Sequence, residues 1–155
     1  MATMKDQLQT DLTEAMRSGD KITAATIRMA LTAITNEEVA GKQARELSDD
    51  DVITVLSREA KKRRESAEAY TQAQRLELAQ QETDELAVLE RYLPQQLTEA
   101  EIDAIIAAAV EQAKSDGAEG GKAMGAVMKL VTPQAAGRFD GSAIAAKVRA
   151  ALGMG

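Results

Sequence analysis

Between Lys122 and Ile144 the chain reads KAMGAVMKLVTPQAAGRFDGSAI, and five of the six cations beyond residue 93 lie in this stretch or just after it. Basic side chains interleaved with glycine are suited to holding phosphate. Lys122, Gly125, Ala126 and Lys129 recur at i, i+3, i+4 and i+7, so a helix would set them on one side, small in the middle and cationic at both ends. Glycine there lets a phosphate or another backbone come close. The Gly120-Gly121 turn would leave amides free at the start of that helix, where anions are favoured. Arg138 follows in a turn between Gly137 and Gly141, Asp140 is the expected cap of a last helix, and Lys147 and Arg149 add charge beyond it. The expected nucleic-acid contact set is Lys122, Gly125, Lys129, Arg138 and Lys147, meeting the phosphates and shape of a folded RNA. Tyr70, Tyr92 and Phe139 are the only aromatic residues, too few to stack unpaired bases. The glycines also suit a second use: Gly121 and Gly125, four apart, would let two helices cross closely.

Other candidate chemistry is thinner. With no cysteine and no histidine, disulfides, thiolate metal sites and the commonest general base are excluded. No serine is placed beside a base, so no catalytic set is expected, and neither is a metal or cofactor. GAEGGKA at 117–123 approaches a phosphate-binding loop, but it is one residue short before Gly121-Lys122 and has alanine where Ser or Thr would hold magnesium. Asp49, Asp50 and Asp51 suit the positive start of a helix capped by Ser48 better than they suit magnesium. KKRR at 61–64 is expected as a solvated face, with Lys61–Glu65 and Arg64–Glu68 as i, i+4 pairs. Arg63 alone projects into the helix seam.

Helices must position these residues, and a composition rich in alanine, leucine, glutamate, lysine and glutamine with only two prolines, Pro94 and Pro133, favours them. The spacing predicts a helix over 4–18 with Met4, Leu8, Leu12, Ala15 and Met16 on one face and Gly19 as its stop. Asp20 caps a second helix running to Glu38. It carries Ile27, Ala30, Leu31 and Ile34 on one side and Ile22, Met29 and Ala33 on the other, as in a helix sandwiched between neighbours. After a polar loop at 41–47, Ser48 starts a third helix with the seam Val52, Leu56, Ala60, Arg63, Ala67 and Tyr70. A turn near 71–74 leads to a fourth helix ending by Leu93, with Leu76, Ala79, Thr83, Leu86 and Leu93 aligned. Folded back antiparallel, it brings Glu82 level with Arg63, so Arg63–Glu82 or a close equivalent is the expected buried pair.

Pro94 stops this helix. Thr98 and Glu101 then form a capping box for a fifth, whose stripe is Ile102, Ile105, Ile106, Ala109 and Val110. Helices over 121–131, with Met124, Val127, Met128 and Val131 facing the core, and over 141–152 complete the chain. The expected fold is all-α. Residues 1–93 form a long N-terminal helical body with an antiparallel helical hairpin, and residues 94–155 form a compact three-helix module.

The formal net charge is −6, with 13 cations against 18 anions in residues 1–93 and 6 against 7 in residues 94–155. Such a chain is no dedicated nucleic-acid binder, so any RNA contact must be local and salt-sensitive. It has no basic segment followed by an apolar run and no apolar stretch of about 18 residues, so neither a signal peptide nor a membrane span is expected. The expected location is cytoplasmic, with neither DNA nor membrane as a partner.

IRMALTAI at 27–34, REAKKRRESAEAY at 58–70, YLPQQL at 92–97, MGAVMK at 124–129 and GRFDG at 137–141 together resemble the YqeY family over nearly the full length. The C-terminal module is also similar to the tail domain of GatB, a subunit of the tRNA-dependent amidotransferase that converts Glu-tRNA(Gln) or Asp-tRNA(Asn) to the amidated form. Related modules are attached to some glutaminyl-tRNA synthetases. The resemblance implies a non-catalytic tRNA-binding accessory of translation, working with an aminoacyl-tRNA synthetase or an amidotransferase. It also brings the broader label of carbon–nitrogen ligase with glutamine as amido donor. One departure is LVTPQAAG at 130–137, which carries no lysine where the family pattern often has one or two. The competing role is a protein–protein adaptor that uses the acidic helical body as its recognition surface.

Overall fold

The computed structural model describes residues 2–154 and divides the chain after Leu93 into two compact units; every regular element among the described residues is a helix. The first unit contains α1 (Met4–Ser18), α2 (Lys21–Glu38), α3 (Asp49–Gln72) and α4 (Leu76–Glu90). Their starts are set by side chains that satisfy otherwise orphaned amides. Thr3 and Asp6 form a capping box on α1, and Asp20 accepts the Thr23 N–H at 3.1 Å to start α2. Ser48 and Asp51 cap α3 reciprocally at 3.2 and 3.3 Å. Gly19 ends α1 at φ 78°, a left-handed turn that disfavours a Cβ. Asp51 also pairs with Arg45 at 3.2 Å, and Asp49 accepts the Met4 N–H at 3.0 Å. Two of the three clustered aspartates are thus committed to helix starts.

α3 and α4 form a hairpin, α2 packs on both, and α1 packs on α2 and α3. Leu8, Ile27, Ile34, Val52, Leu56 and Leu89 are fully buried between them, each worth about 1.5–3 kcal/mol of apolar burial. Several expected core positions face water. Met16 is 56% exposed because the buried stripe of α1 runs through Leu8 and Ala15 and leaves the next residue pointing out. Leu76 is 65% exposed at the hairpin tip, ahead of Ala79, the first buried residue of α4. The buried residues of α4 are Ala79, Val88 and Leu89, with Leu78, Glu82, Glu85 and Leu86 half-buried beside them, and Thr83 is exposed.

Arg63 is buried, as its seam position requires, but its cross-hairpin partner lies three residues beyond Glu82. α3 continues to Gln72, so the hairpin pivots on Gln74, a non-glycine residue at φ 61°. The residue level with Arg63 is therefore Glu85, with Nε 3.8 Å from Oε2. Glu59 on the preceding turn holds Nη1 at 3.1 Å, and Nη2 donates to the Met29 sulfur at 3.4 Å. Burial first and the Glu82 charge second push the Glu85 carboxyl above its ordinary value, against the pull of Arg63. Elsewhere in this unit the Tyr92 hydroxyl donates to Asp11 at 2.5 Å. Burial and that bond raise the phenol's pKa.

The second unit contains α5 (Glu99–Ser115), α6 (Gly121–Ala135) and α7 (Gly141–Ala151), each packed on the other two. Thr98 and Glu101 complete the expected capping box. Ile102, Ile106, Val127, Val131, Ile144 and Val148 form the core. α6 runs four residues past its expected end, with Pro133 inside its last turn. Proline there removes one bond to the Lys129 carbonyl, while Ala135, at 0% exposure, anchors the turn in the core. Among the described residues no helix is long and apolar enough to cross a membrane.

Candidate nucleic-acid interface

Gly120 precedes α6 at φ 60° and ψ −137°, backbone angles that are essentially glycine's alone. It offers no side chain, and no side-chain cap reaches the first amides of α6. Ala123, Val127, Val131 and Ala135 follow at i+4 steps and are buried, with Met124 and Met128 half-buried beside them. At about 100° per residue, Lys122 and Lys129 stand within about 20° of each other on the side opposite that stripe. Both are exposed, and among the described residues neither side chain has a hydrogen bond or ion pair.

Gly125 lies between them, also exposed, with Ala126 half-buried beside it. A Cβ built on Gly125 would meet nothing within 4 Å, and the same holds for Gly121. The close helix crossing that the Gly121/Gly125 spacing allowed is therefore absent, because no neighbouring helix comes down on these glycines.

Arg138 and Lys147 are occupied differently. Arg138 donates from Nε to the Gln95 carbonyl at 2.9 Å and from Nη1 to the Gln134 carbonyl at 2.9 Å. The Leu97 N–H donates to the Arg138 carbonyl at 2.8 Å, and Gln96 Nε2 reaches the Pro94 and Gly137 carbonyls at 2.8 and 2.9 Å. The segment starting at Pro94 is thus strapped to the turn at 137–138, with the guanidinium as one of the straps. Lys147 lies 2.8 Å from Asp103 and 2.7 Å from Glu99. Their hydrogen bonds, Asp103's first, raise its pKa. Asp140 caps α7 by accepting the Ser142 N–H at 3.2 Å.

The five expected contact residues therefore separate. Lys122, Gly125 and Lys129 share one open side of α6, whereas Arg138 and Lys147 are engaged with their own fold. The strap involving Gln95, Gln96 and Arg138 has no sequence signal of its own. Side-chain bonds to backbone carbonyls 41 or 43 residues away follow no periodicity. Among the described residues no group of three or more His, Cys, Asp or Glu is arranged to hold a metal ion.

Two helical units, the second presenting two unpaired lysines around a bare glycine, define an all-α protein with a small, locally basic face. The profile of the YqeY family, described as Yqey-like protein, matches residues 5–152, and the chain belongs to that family. It is 30% identical over 150 residues to Altered inheritance of mitochondria protein 41, mitochondrial, of Pyrenophora tritici-repentis, covering 95% of this chain and 80% of that protein. It is 34% identical over 85 residues to an uncharacterized protein of Schizosaccharomyces pombe, covering 54% of this chain and 67% of the relative. A second Altered inheritance of mitochondria protein 41, from Lachancea thermotolerans, is 32% identical over 99 residues. Two of these three relatives are mitochondrial by name.

Proposed function

We propose that this chain is a non-catalytic tRNA-binding accessory serving a tRNA-dependent amidotransferase or an aminoacyl-tRNA synthetase in the cytoplasm, with Lys122, Gly125 and Lys129 as its contact surface. The observation that carries this is Gly125. A glycine inside an exposed helix costs about 0.5–1 kcal/mol relative to alanine, and outside the adjoining backbone of its own helix nothing comes within 4 Å of where its Cβ would be. Flanking lysines without partners give the bare spot a use, namely close approach of a phosphate backbone. The lysines stand seven positions apart, about 10 Å along the helix, far enough to meet two different phosphates.

We leave Arg138 and Lys147 out of the proposed contact set because their side chains are engaged within the fold, which reduces the expected affinity. Two free cations on a chain of net charge −6 bind a polyanion weakly, and such a face serves best when a larger enzyme holds the tRNA nearby. The test is an anisotropy titration of labelled, folded tRNA at low salt with the full chain and with K122A/K129A. The double variant should bind at least about fivefold more weakly. Equal affinities would remove α6 from any RNA contact.

A further inference from the structure

Two of the three residues on the second apolar side of α2, expected to be covered by a neighbour, are open, while Ala33 is half-buried against the core. Ile22 is 44% exposed and Met29 38%, and Ala25 between them is exposed as well. These positions fall at i, i+3 and i+7, one continuous stripe. Beside it runs a groove of about 420 Å³, with Lys21, Ile22 and Ala25 on the α2 wall and Glu77, Asp84 and Glu85 among the residues of the α4 wall.

The α4 wall is an anion surplus. Glu77 has Arg75 at 3.4 Å and Lys21 stands on the opposite lip, but Asp84 is bonded by the neutral Gln80 amide at 2.9 Å. Glu85 shares Arg63 with Glu59 and has the Glu82 carboxyl against it. Glu59 in turn is drawn on by Lys62 at 2.8 Å. One buried guanidinium thus serves two carboxylates, and a cation arriving from outside would be favoured. The same charge repels anionic lipid and RNA, and a second copy of this acidic chain would bring like charge to like.

We propose that the α2–α4 groove is a docking site for a basic amphipathic helix of a partner protein, whose apolar stripe covers Ile22, Ala25 and Met29 while its lysines or arginines face Asp84 and Glu85. This is helix-in-groove recognition with the apolar contact and the charge contact on opposite walls. It is independent of the tRNA face on α6, so either can fail without the other.

The probe is a labelled Leu/Lys peptide of about five helical turns with leucines at i, i+3, i+4 and i+7, compared with its Leu/Glu counterpart on the same stripe. The full chain should bind the lysine peptide, with amide shifts confined to α2 and α4, and should bind the glutamate peptide at least about tenfold more weakly. I22D/M29D should lose about tenfold or more in affinity, and E77K/D84K, on the other wall, should lose the preference for lysine. Equal binding of the two peptides, no binding of either, or unchanged binding by both variants would overturn the proposal. So would self-association of the parent chain that I22D/M29D abolishes, which would give the stripe to a second copy.

Discussion

At the scale of single residues, Gly125 and Arg63 are opposite cases of a residue that local rules disfavour. Gly125→Ala is sterically free and should raise stability by about 0.5–1 kcal/mol in a urea melt, while weakening tRNA binding if a phosphate approaches there. A loss of stability would mean that the glycine serves the fold. Arg63 is a buried cation whose removal strands Glu59 and Glu85, so R63M should cost about 3–5 kcal/mol. E85Q should cost far less, because Glu85 itself is strained as an anion. Its folded-state pKa lies above the unfolded one, so its protonation stabilises the fold. That contribution is complete below the ordinary carboxylate pKa and is lost as pH rises through the raised value. Melts between pH 7 and pH 5, a window flanking the carboxylate range from above, should show the parent gaining on E85Q as pH falls. An unchanged difference would mean that Glu85 does not titrate in this window. The need for a carboxylate opposite Arg63 was legible in its seam position. Which carboxylate was not, because that depended on the turn pivoting at Gln74.

At the scale of elements, helix starts were the most legible features. Asp20, Ser48 with Asp51, and Thr98 with Glu101 each announce themselves by residue type and spacing, and each makes the expected bonds. Thr98→Ala should cost about 1 kcal/mol, measured as a shift in urea midpoint at constant m. Helix ends and faces were less legible. α6, expected to end at 131, continues past Pro133 to Ala135, which is buried in the core. The second apolar side of α2 promised a neighbour that the first unit does not supply. Hydrogen bonds from Thr23, Ser48 and Lys5 hold the Asp20, Asp51 and Glu38 carboxyls below their ordinary values. These bonds contribute stability that is present above the unfolded carboxylate pKa and lost as pH falls through the lowered values. The sign is opposite to that of Glu85, so Tm should fall steeply only below about pH 4. A parent chain whose Tm stayed flat to pH 3, below those ordinary values, would contradict these caps.

At the scale of the whole molecule, sequence showed a helical fold and an acidic chain with its late cations gathered in one stretch. It could not show which of those cations are spent within the fold. Only side-chain geometry separates Lys147, clasped by two carboxylates, from Lys122 and Lys129, clasped by none. That distinction sets the expected salt dependence of RNA binding, since each neutralised duplex phosphate contributes about −0.9 to the slope of log K against log salt. The most direct measurement is therefore that slope, for folded tRNA with the full chain and with K122A/K129A. The expected values are about −1.8 for the parent, from two phosphates, and near zero for the double variant. Indistinguishable slopes would contradict a phosphate contact at Lys122 and Lys129.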